Sequence, residues 1–149
     1  MSTSAPRHYT MYHNPETMGF GCFDIEDKEE GRGIVATNKE HVANQIAQDG
    51  GVIWCIGRAD EEDDTFYLFQ RIDNPTVESG DEVFSVHLVG TPVFPRKGSV
   101  VLNDKPYFGR IEDALHKGVQ LLTDSEIIAD FEGEFRRLWR EDRKQRSGR

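Results

Sequence analysis

The sequence predicts an α+β domain, with roughly five to seven short strands and two or three helices around one core. Three features support this prediction: paired β-branched and aromatic runs at Val52–Ile56 and Thr65–Ile72, a capped helix beginning near Thr37, and a long apolar stripe after Thr123. A small mixed or antiparallel β-barrel, closed or nearly closed, is the expected arrangement because it leaves few exposed strand edges.

The N-terminal part of the chain contains a predicted strand, an irregular segment and a short apolar run. His8–His13 has the aromatic content of a strand and ends at the turn signal Asn14-Pro15. Residues 16–33 contain four glycines and a run of charges, so we expect an exposed excursion with at most a short strand at Phe20–Ile25. Ile34–Ala36 is a short apolar run that leads into the first helix.

The first helix has sequence signals at both ends. Thr37-Asn38-Lys39-Glu40 is a capping box, in which Thr37 would cap the amide three residues on and Glu40 would reach back. Apolar residues then recur at helical spacing from Val42 to Ala47, and Gly50-Gly51 ends the segment. The pattern predicts a helix of about three turns.

The segment Gly50–Asn74 is typical of a β-hairpin, because its two strand-like runs flank the turn Ala59–Asp64. That turn is almost entirely acidic. It lacks the alternating oxygen ligands and the turn glycine of a calcium loop. We therefore predict a solvated, self-repelling tip and no metal site there.

The second half of the chain contains shorter elements. Glu82–Val89 alternates apolar and polar residues and predicts a half-buried strand. Val93-Phe94 lies between prolines, which indicates an edge strand or an extended loop. Ser99–Leu102 is a further short strand, and Arg110–Lys117 a short helical segment.

The last helix has the strongest periodic pattern. A second capping box, Thr123–Glu126, precedes it. One stripe of the helix then carries Ile127, Ile128, Phe131, Phe135, Leu138 and Trp139. Core packing is favoured over a groove for a partner. We predict a single domain over residues 1–142, followed by a basic, disordered tail over residues 143–149.

Charge is distributed unevenly along the chain. The net charge is −9, but residues 136–149 carry seven basic and two acidic side chains, whereas the other 135 residues carry 11 basic and 25 acidic ones. An acidic body disfavours non-specific binding of a phosphate backbone. The basic tail could contact nucleic acid or an acidic partner, or serve only as a solubilising terminus.

Several functional classes are excluded by what the sequence lacks. No apolar run approaches the ~20 residues that span a bilayer, and the N-terminus lacks the apolar core of a secretory signal. Cys22 and Cys55 are too few for a disulfide framework or a thiolate zinc site. Phosphate-binding, nucleophile-elbow and zinc-hydrolase motifs are absent. We expect a cytoplasmic protein without membrane contact, metal, cofactor or catalytic residues.

Both faces of the predicted hairpin are rich in aromatic residues. Trp54 alternates with Ile53 and Cys55 along the first strand, and Tyr67 shares a face with Phe69 on the second. One face must fill the core, and the other is either covered by a helix or forms the wall of an apolar cavity. Trp54 is therefore either a core residue or a stacking surface for a planar ligand such as a nucleobase.

Three of the histidines lie on predicted strands, where their spacing indicates what they can bind. A separation of five residues places His8 and His13 on opposite faces of a regular strand, which disfavours a shared metal site. His87 lies in the middle of a predicted strand, on the same face as Ser85. It is either a structural histidine or a polar group of a binding site.

The order of these elements resembles that of the PUA-like superfamily, especially its ASCH and EVE-type members. The similarity covers about residues 34–102 and consists of a capped helix, the segments GGVIWCIGR and TFYLFQRID around an acidic turn, and the strand VFSVHLVG. It implies a small β-barrel that binds RNA or modified bases in DNA, with helices near the mouth of the barrel. The implied ligand-binding residues are Thr37, Asn38, Trp54, Arg58, Tyr67 and His87.

Three functions remain open from the sequence. The leading one is a non-enzymatic binding module that recognises a nucleobase or modified base in RNA or DNA. The second is an acidic interaction or immunity-type protein that binds and regulates a basic protein partner. The third is a small metal-independent nuclease or transferase that uses His87 with Arg58 or Arg71, which would need these groups in one cleft. None of the three implies a particular oligomeric state.

Overall fold

The protein adopts an α+β fold built on one mixed sheet. The computed structural model describes residues 7–19, 21–24, 33–95, 100–115 and 118–147. The strands are β1 (His8–His13), β2 (Gly33–Thr37), β3 (Val52–Gly57), β4 (Tyr67–Ser79), β5 (Val86–Val93) and β6 (Gln120–Leu122). The helices are α1 (Pro15–Met18), α2 (Glu40–Asp49), α3 (Phe108–Glu112) and α4 (Ser125–Ser147), with a 3₁₀ turn at Cys22–Asp24. Among the described residues, no helix is long and apolar enough to cross a membrane.

The six strands pair in the order β2-β5-β4-β3-β1-β6. β1 runs parallel to β3, whereas the other pairs are antiparallel. The predicted hairpin is confirmed as β3 and β4, with Ile53 opposite Ile72 and a shift in register between Cys55 and Ile56. Because the shift changes the alternation of β4 relative to β3, Phe69 joins the same core as Cys55.

A closed barrel is not observed. Within the described part of the chain, pairing ends at β2 and β6, each of which has a hydrogen-bonded neighbour on one side only. Residues of β1 and of the edge strand β2 line the same two cavities, which indicates that the sheet curves. The α+β class is confirmed, and the architecture is an open, curved sheet with a cleft between β1 and β2.

Each face of the sheet carries its own core. On one face, Ala43 and Ile46 of α2 pack with strand residues such as Ile53 and Leu88. On the other, Phe131 and Phe135 of α4 pack over Trp54. Alternation along β3 explains the division, since neighbouring residues of a strand point to opposite faces. Both faces of the hairpin therefore carry packed core side chains.

The capping predictions need correction in detail. α2 begins at Glu40 after Lys39, and Thr37 accepts a hydrogen bond from the amide of Lys39 at 3.0 Å, one residue short of the box geometry. At α4 the capping side chain is Asp124, whose Oδ1 accepts from the amides of Glu126 and Ile127. An aspartate one residue before the first helical position is favoured there over the threonine preceding it.

Three predicted boundaries also shift. The strand predicted at Glu82–Val89 begins at Val86 and continues to Val93, because residues 80–85 form a turn. Within the described residues, the helical segment predicted at Arg110–Lys117 corresponds to α3, which begins at Phe108 and ends at Glu112; residues 116–117 lie outside the description. Val101 forms an isolated bridge to Tyr67 instead of a full strand.

Some predictions fall wholly or partly outside the description. Phe20 and Ile25, the ends of a suggested strand, and Ser99 lie outside the described residues, as does the side chain of Trp139. α4 extends to Ser147, so residues 143–147 continue that helix. Residues 148–149 are outside the described chain.

Candidate functional site

A cleft lies between β1 and β2. It has a volume of about 830 Å³, within the range of roughly 300–1,000 Å³ that is usual for small-molecule sites. Its apolar lining includes Met11, Met18, Ile34, Phe69, Val83, Phe84 and Leu115. Its polar lining includes His13, Asn14, Gln70, Asp81, Glu82 and His87. A smaller cavity of about 340 Å³ adjoins it and reaches Thr37, Asn38 and Lys39.

Gln70 is the polar residue most completely enclosed at the cleft. It lies on β4 opposite Cys55 and is 1% exposed. Its amide nitrogen Nε2 is buried and has no hydrogen-bond partner. A buried unpaired donor costs about 1–3 kcal/mol, and such groups in native proteins usually have a partner in protein, water or ligand. Nε2 of Gln70 is therefore an unsatisfied, enclosed donor in a residue that lines the cleft.

The close approach of β2 keeps this part of the cleft narrow. A Cβ atom on Gly33 would lie 2.7 Å from Cγ1 of Ile72 and 3.4 Å from Nε2 of Gln70. Glycine at this position thus lets the edge strand pack directly against β4 beside the amide.

One rim of the cleft is a turn organised by Asp81. Oδ1 of Asp81 accepts hydrogen bonds from the amides of Val83 (2.8 Å) and Phe84 (2.9 Å), and Oδ2 pairs with Nε2 of His87 at 3.0 Å. The amides of Phe84 and Val83, aided by His87, hold the pKa of the Asp81 carboxyl below its ordinary value of 3.8. The turn presents Val83, which is 70% exposed, at the edge of an apolar cleft.

Asn38 connects this turn to the start of α2. Its Nδ2 donates to the carbonyl oxygen of Val83 at 3.3 Å, and its Oδ1 accepts from the amide of Ser85 at 2.7 Å. Thr37 is buried beside it. Three of the predicted ligand-binding residues, Thr37, Asn38 and His87, therefore lie around the cleft and its smaller neighbour.

Trp54 lies in the core under α4. It is 1% exposed, its Nε1 donates to Nδ1 of His8 at 2.9 Å, and its ring contacts Phe131 and Phe135 with centroids 5.5 and 5.2 Å apart. The guanidinium of Arg71 lies 5.7 Å from the Trp54 ring. Of its two predicted roles, the structure shows core packing, on the face of the sheet away from Gln70.

Arg58 and Tyr67 support the acidic turn of the hairpin. Arg58 donates from Nε to the Tyr12 hydroxyl at 2.7 Å and from a terminal nitrogen to the carbonyl oxygens of Glu61 and Asp63. Tyr67 donates to Oδ2 of Asp63 at 3.4 Å. Neither lines the cleft, although Tyr12, which Arg58 contacts, does.

The cleft contains residues that sequence reasoning did not select. The strand pattern does not single out Gln70, although a glutamine within the run YLFQRI is a polar residue at a position where a buried apolar residue is expected. His13 also lines the cleft, whereas His8 stacks on Trp54, so the prediction that they face apart is confirmed.

The described residues do not assemble the other chemistries considered. No group of three or more His, Cys, Asp or Glu residues that could hold a metal ion is found among them. His87 pairs with Asp81, Arg58 with Tyr12, and Arg71 with Asp73. These separate partners disfavour an acid–base pair of His87 with either arginine.

Comparison with known protein families, curated proteins and solved structures finds no match to this chain.

Replacing Asp81 with Ala is expected to lower the melting temperature at pH 7 by more than it does at pH 3. The carboxylate has a lowered pKa in the folded protein, so its stabilising contribution is full above the unfolded value of about 3.8 and is lost as pH falls through the folded value. Thermal unfolding of wild type and variant across this range measures the difference. Asp104→Ala, at an exposed carboxylate in another turn, is the control. A difference that does not shrink on acidification would contradict the assigned role.

Proposed function

We propose that this protein is a non-enzymatic binding module whose cleft between β1 and β2 holds a nucleobase or a nucleobase-like ring. The observation that carries the proposal is the unpaired, buried amide of Gln70 at the wall of a ligand-sized cleft. A glutamine amide presents a donor and an acceptor side by side, which matches the hydrogen-bonding edges of bases.

The remaining lining suits a flat, largely apolar ring. Phe84 supplies aromatic surface, Phe69 is a nearly buried ring in the same wall, and Met11 and Ile34 supply apolar walls that adapt to shape. Stacking on aromatic side chains contributes about 1–3 kcal/mol per base. The imidazole of His87, held by Asp81 at 3.0 Å, adds a second polar group. The PUA-like resemblance supports the same ligand class.

Titration followed by NMR tests this function directly. Free bases, nucleosides and modified nucleosides are added to ¹⁵N-labelled protein, and the side-chain amide of Gln70 is assigned by its loss in Gln70→Met. We expect a saturable shift of that resonance with at least one base, together with residues around the cleft. If none of these compounds moves the Gln70 amide, the proposal fails.

A second candidate is the acidic interaction protein. Its supporting observation is that the acidic turn Ala59–Asp64 is held in place from both sides: Arg58 binds the carbonyl oxygens of Glu61 and Asp63, and Asn103 binds that of Asp64 at 3.1 Å. A preorganised acidic surface suits a basic protein. Affinity capture from the native host with wild type, and with Glu61 and Glu62 changed to Gln, tests it. A basic protein recovered equally by both forms would exclude the turn as its binding site.

A further inference from the structure

The charges at the mouth of the cleft limit the kind of ligand that it can bind. Asp81 and Glu82 are adjacent, exposed and part of the lining. The described lining of this cleft contains no lysine or arginine. Its other titratable side chains are the imidazoles of His13 and His87 and the phenol of Tyr12.

The negative charge at this rim persists at neutral pH. The amides of Phe84 and Val83 bind the Asp81 carboxylate and lower its pKa, so it remains ionised. Lys39 lies at the smaller cavity, where its Nζ is 3.5 Å from the carbonyl oxygen of Val119. His87 Nε2 pairs with Oδ2 of Asp81 at 3.0 Å, and Glu82 is not part of that pair.

We propose that the cleft takes its base as an uncharged nucleoside or free base and discriminates against phosphorylated forms. This inference rests on the proposed function and specifies its ligand class. A phosphate on a sugar that projects from the cleft would meet the carboxylates of Asp81 and Glu82. Like charges a few ångströms apart repel each other even in water. At physiological ionic strength, salt largely screens the repulsion between exposed charges that are more than about 8 Å apart.

The size of the discrimination follows from these charges. Repulsion from two exposed carboxylates is expected to weaken binding of a 5′-monophosphate roughly 5- to 30-fold relative to its nucleoside at low salt. The ratio of the nucleoside affinity to the monophosphate affinity should fall as the NaCl concentration is raised, because both carboxylates are exposed to solvent and are therefore screened. A nucleic-acid strand, with phosphates on both sides of the base, should be disfavoured at least as strongly.

The test is a calorimetric titration of adenosine, cytidine, guanosine and uridine against the corresponding 5′-monophosphates and a short single-stranded oligonucleotide. Wild type is compared with Glu82→Gln, which removes one rim charge, and with Glu82→Lys, which reverses it. Asp104→Asn changes the net charge by the same amount in a different turn and is the matched control. Thermal unfolding of each variant verifies that it is folded.

We expect the nucleoside to bind more tightly than its monophosphate, with the ratio reduced severalfold in Glu82→Gln, reduced further or inverted in Glu82→Lys, and retained in Asp104→Asn. This inference alone is overturned if a nucleotide or oligonucleotide binds wild type more tightly than the nucleoside does. It is also overturned if the affinity ratio is the same in both Glu82 variants as in wild type. If no compound of either class binds, the proposed function is overturned together with it.

Discussion

Gln70→Met is expected to abolish binding of the base while raising the free energy of unfolding of the free protein by about 1–2 kcal/mol. Methionine has nearly the shape of glutamine and fills the same buried position without an unpaired amide. Residues that serve only the core do not behave this way, since their replacement lowers stability. A gain in stability with a loss of binding would identify Gln70 as a residue kept for its ligand.

Chemical denaturation and calorimetry measure the two effects separately. Gln70→Glu is the informative companion variant: it keeps the size of the side chain but places a carboxyl group in a site that is 1% exposed, so it should lower stability. If Gln70→Met instead destabilises the protein, Nε2 is satisfied by ordered water in solution. Retention of full binding by Gln70→Met would exclude the amide from recognition.

Trp54→Ala is expected to lower the free energy of unfolding by about 3–5 kcal/mol. The side chain is 1% exposed and is packed between the sheet and α4, against Phe131 and Phe135. Removing it opens a cavity and also leaves the imidazole of His8 without its hydrogen bond from Nε1. A loss of this size is a large fraction of the roughly 5–15 kcal/mol that stabilises a typical domain.

Trp54→Phe separates packing from binding. It keeps an aromatic ring but loses volume and the hydrogen bond to His8, so we expect a smaller loss, about 1–2 kcal/mol, and unimpaired ligand binding. Denaturant unfolding of both variants gives the stability differences, and a nucleoside titration of Trp54→Phe measures its ligand binding. A folded Trp54→Phe protein that no longer binds would indicate that the ligand site lies on the α4 face.

The hairpin shows how far local pattern extends. Gly50–Asn74 was predicted as two strands around an acidic turn, and β3 and β4 confirm it, because alternation and turn chemistry are encoded over a few residues. Gly50 ends α2 in the left-handed region at φ 64°, as the Gly-Gly pair predicted. The stripe of the last helix is likewise confirmed at Ile127, Phe131 and Phe135, which are buried together.

The details that were missed depend on partners distant in sequence. The strand β5 starts four residues later than predicted, because Asp81 binds the amides of Val83 and Phe84, and Asn38, at the end of the neighbouring strand β2, binds the amide of Ser85 in the same turn. The local pattern of residues 80–89 cannot predict a hydrogen bond with residue 38, which is distant in sequence. For the same reason the open edge at β2 could not be read from the count of strands.

Local signals in the sequence were therefore sufficient for the α+β class, the hairpin, the main helices and the acidic character of the body, since each depends on neighbouring residues. The tertiary structure decided which face of the hairpin is available. Trp54, for which the sequence allowed either core packing or a stacking surface, is covered by α4, whereas Gln70 has an unpaired amide nitrogen at a cleft. The packing of α4 decides which face of the hairpin is covered, and the register shift between β3 and β4 decides which side chains lie on each face. Both depend on residues that are distant in sequence.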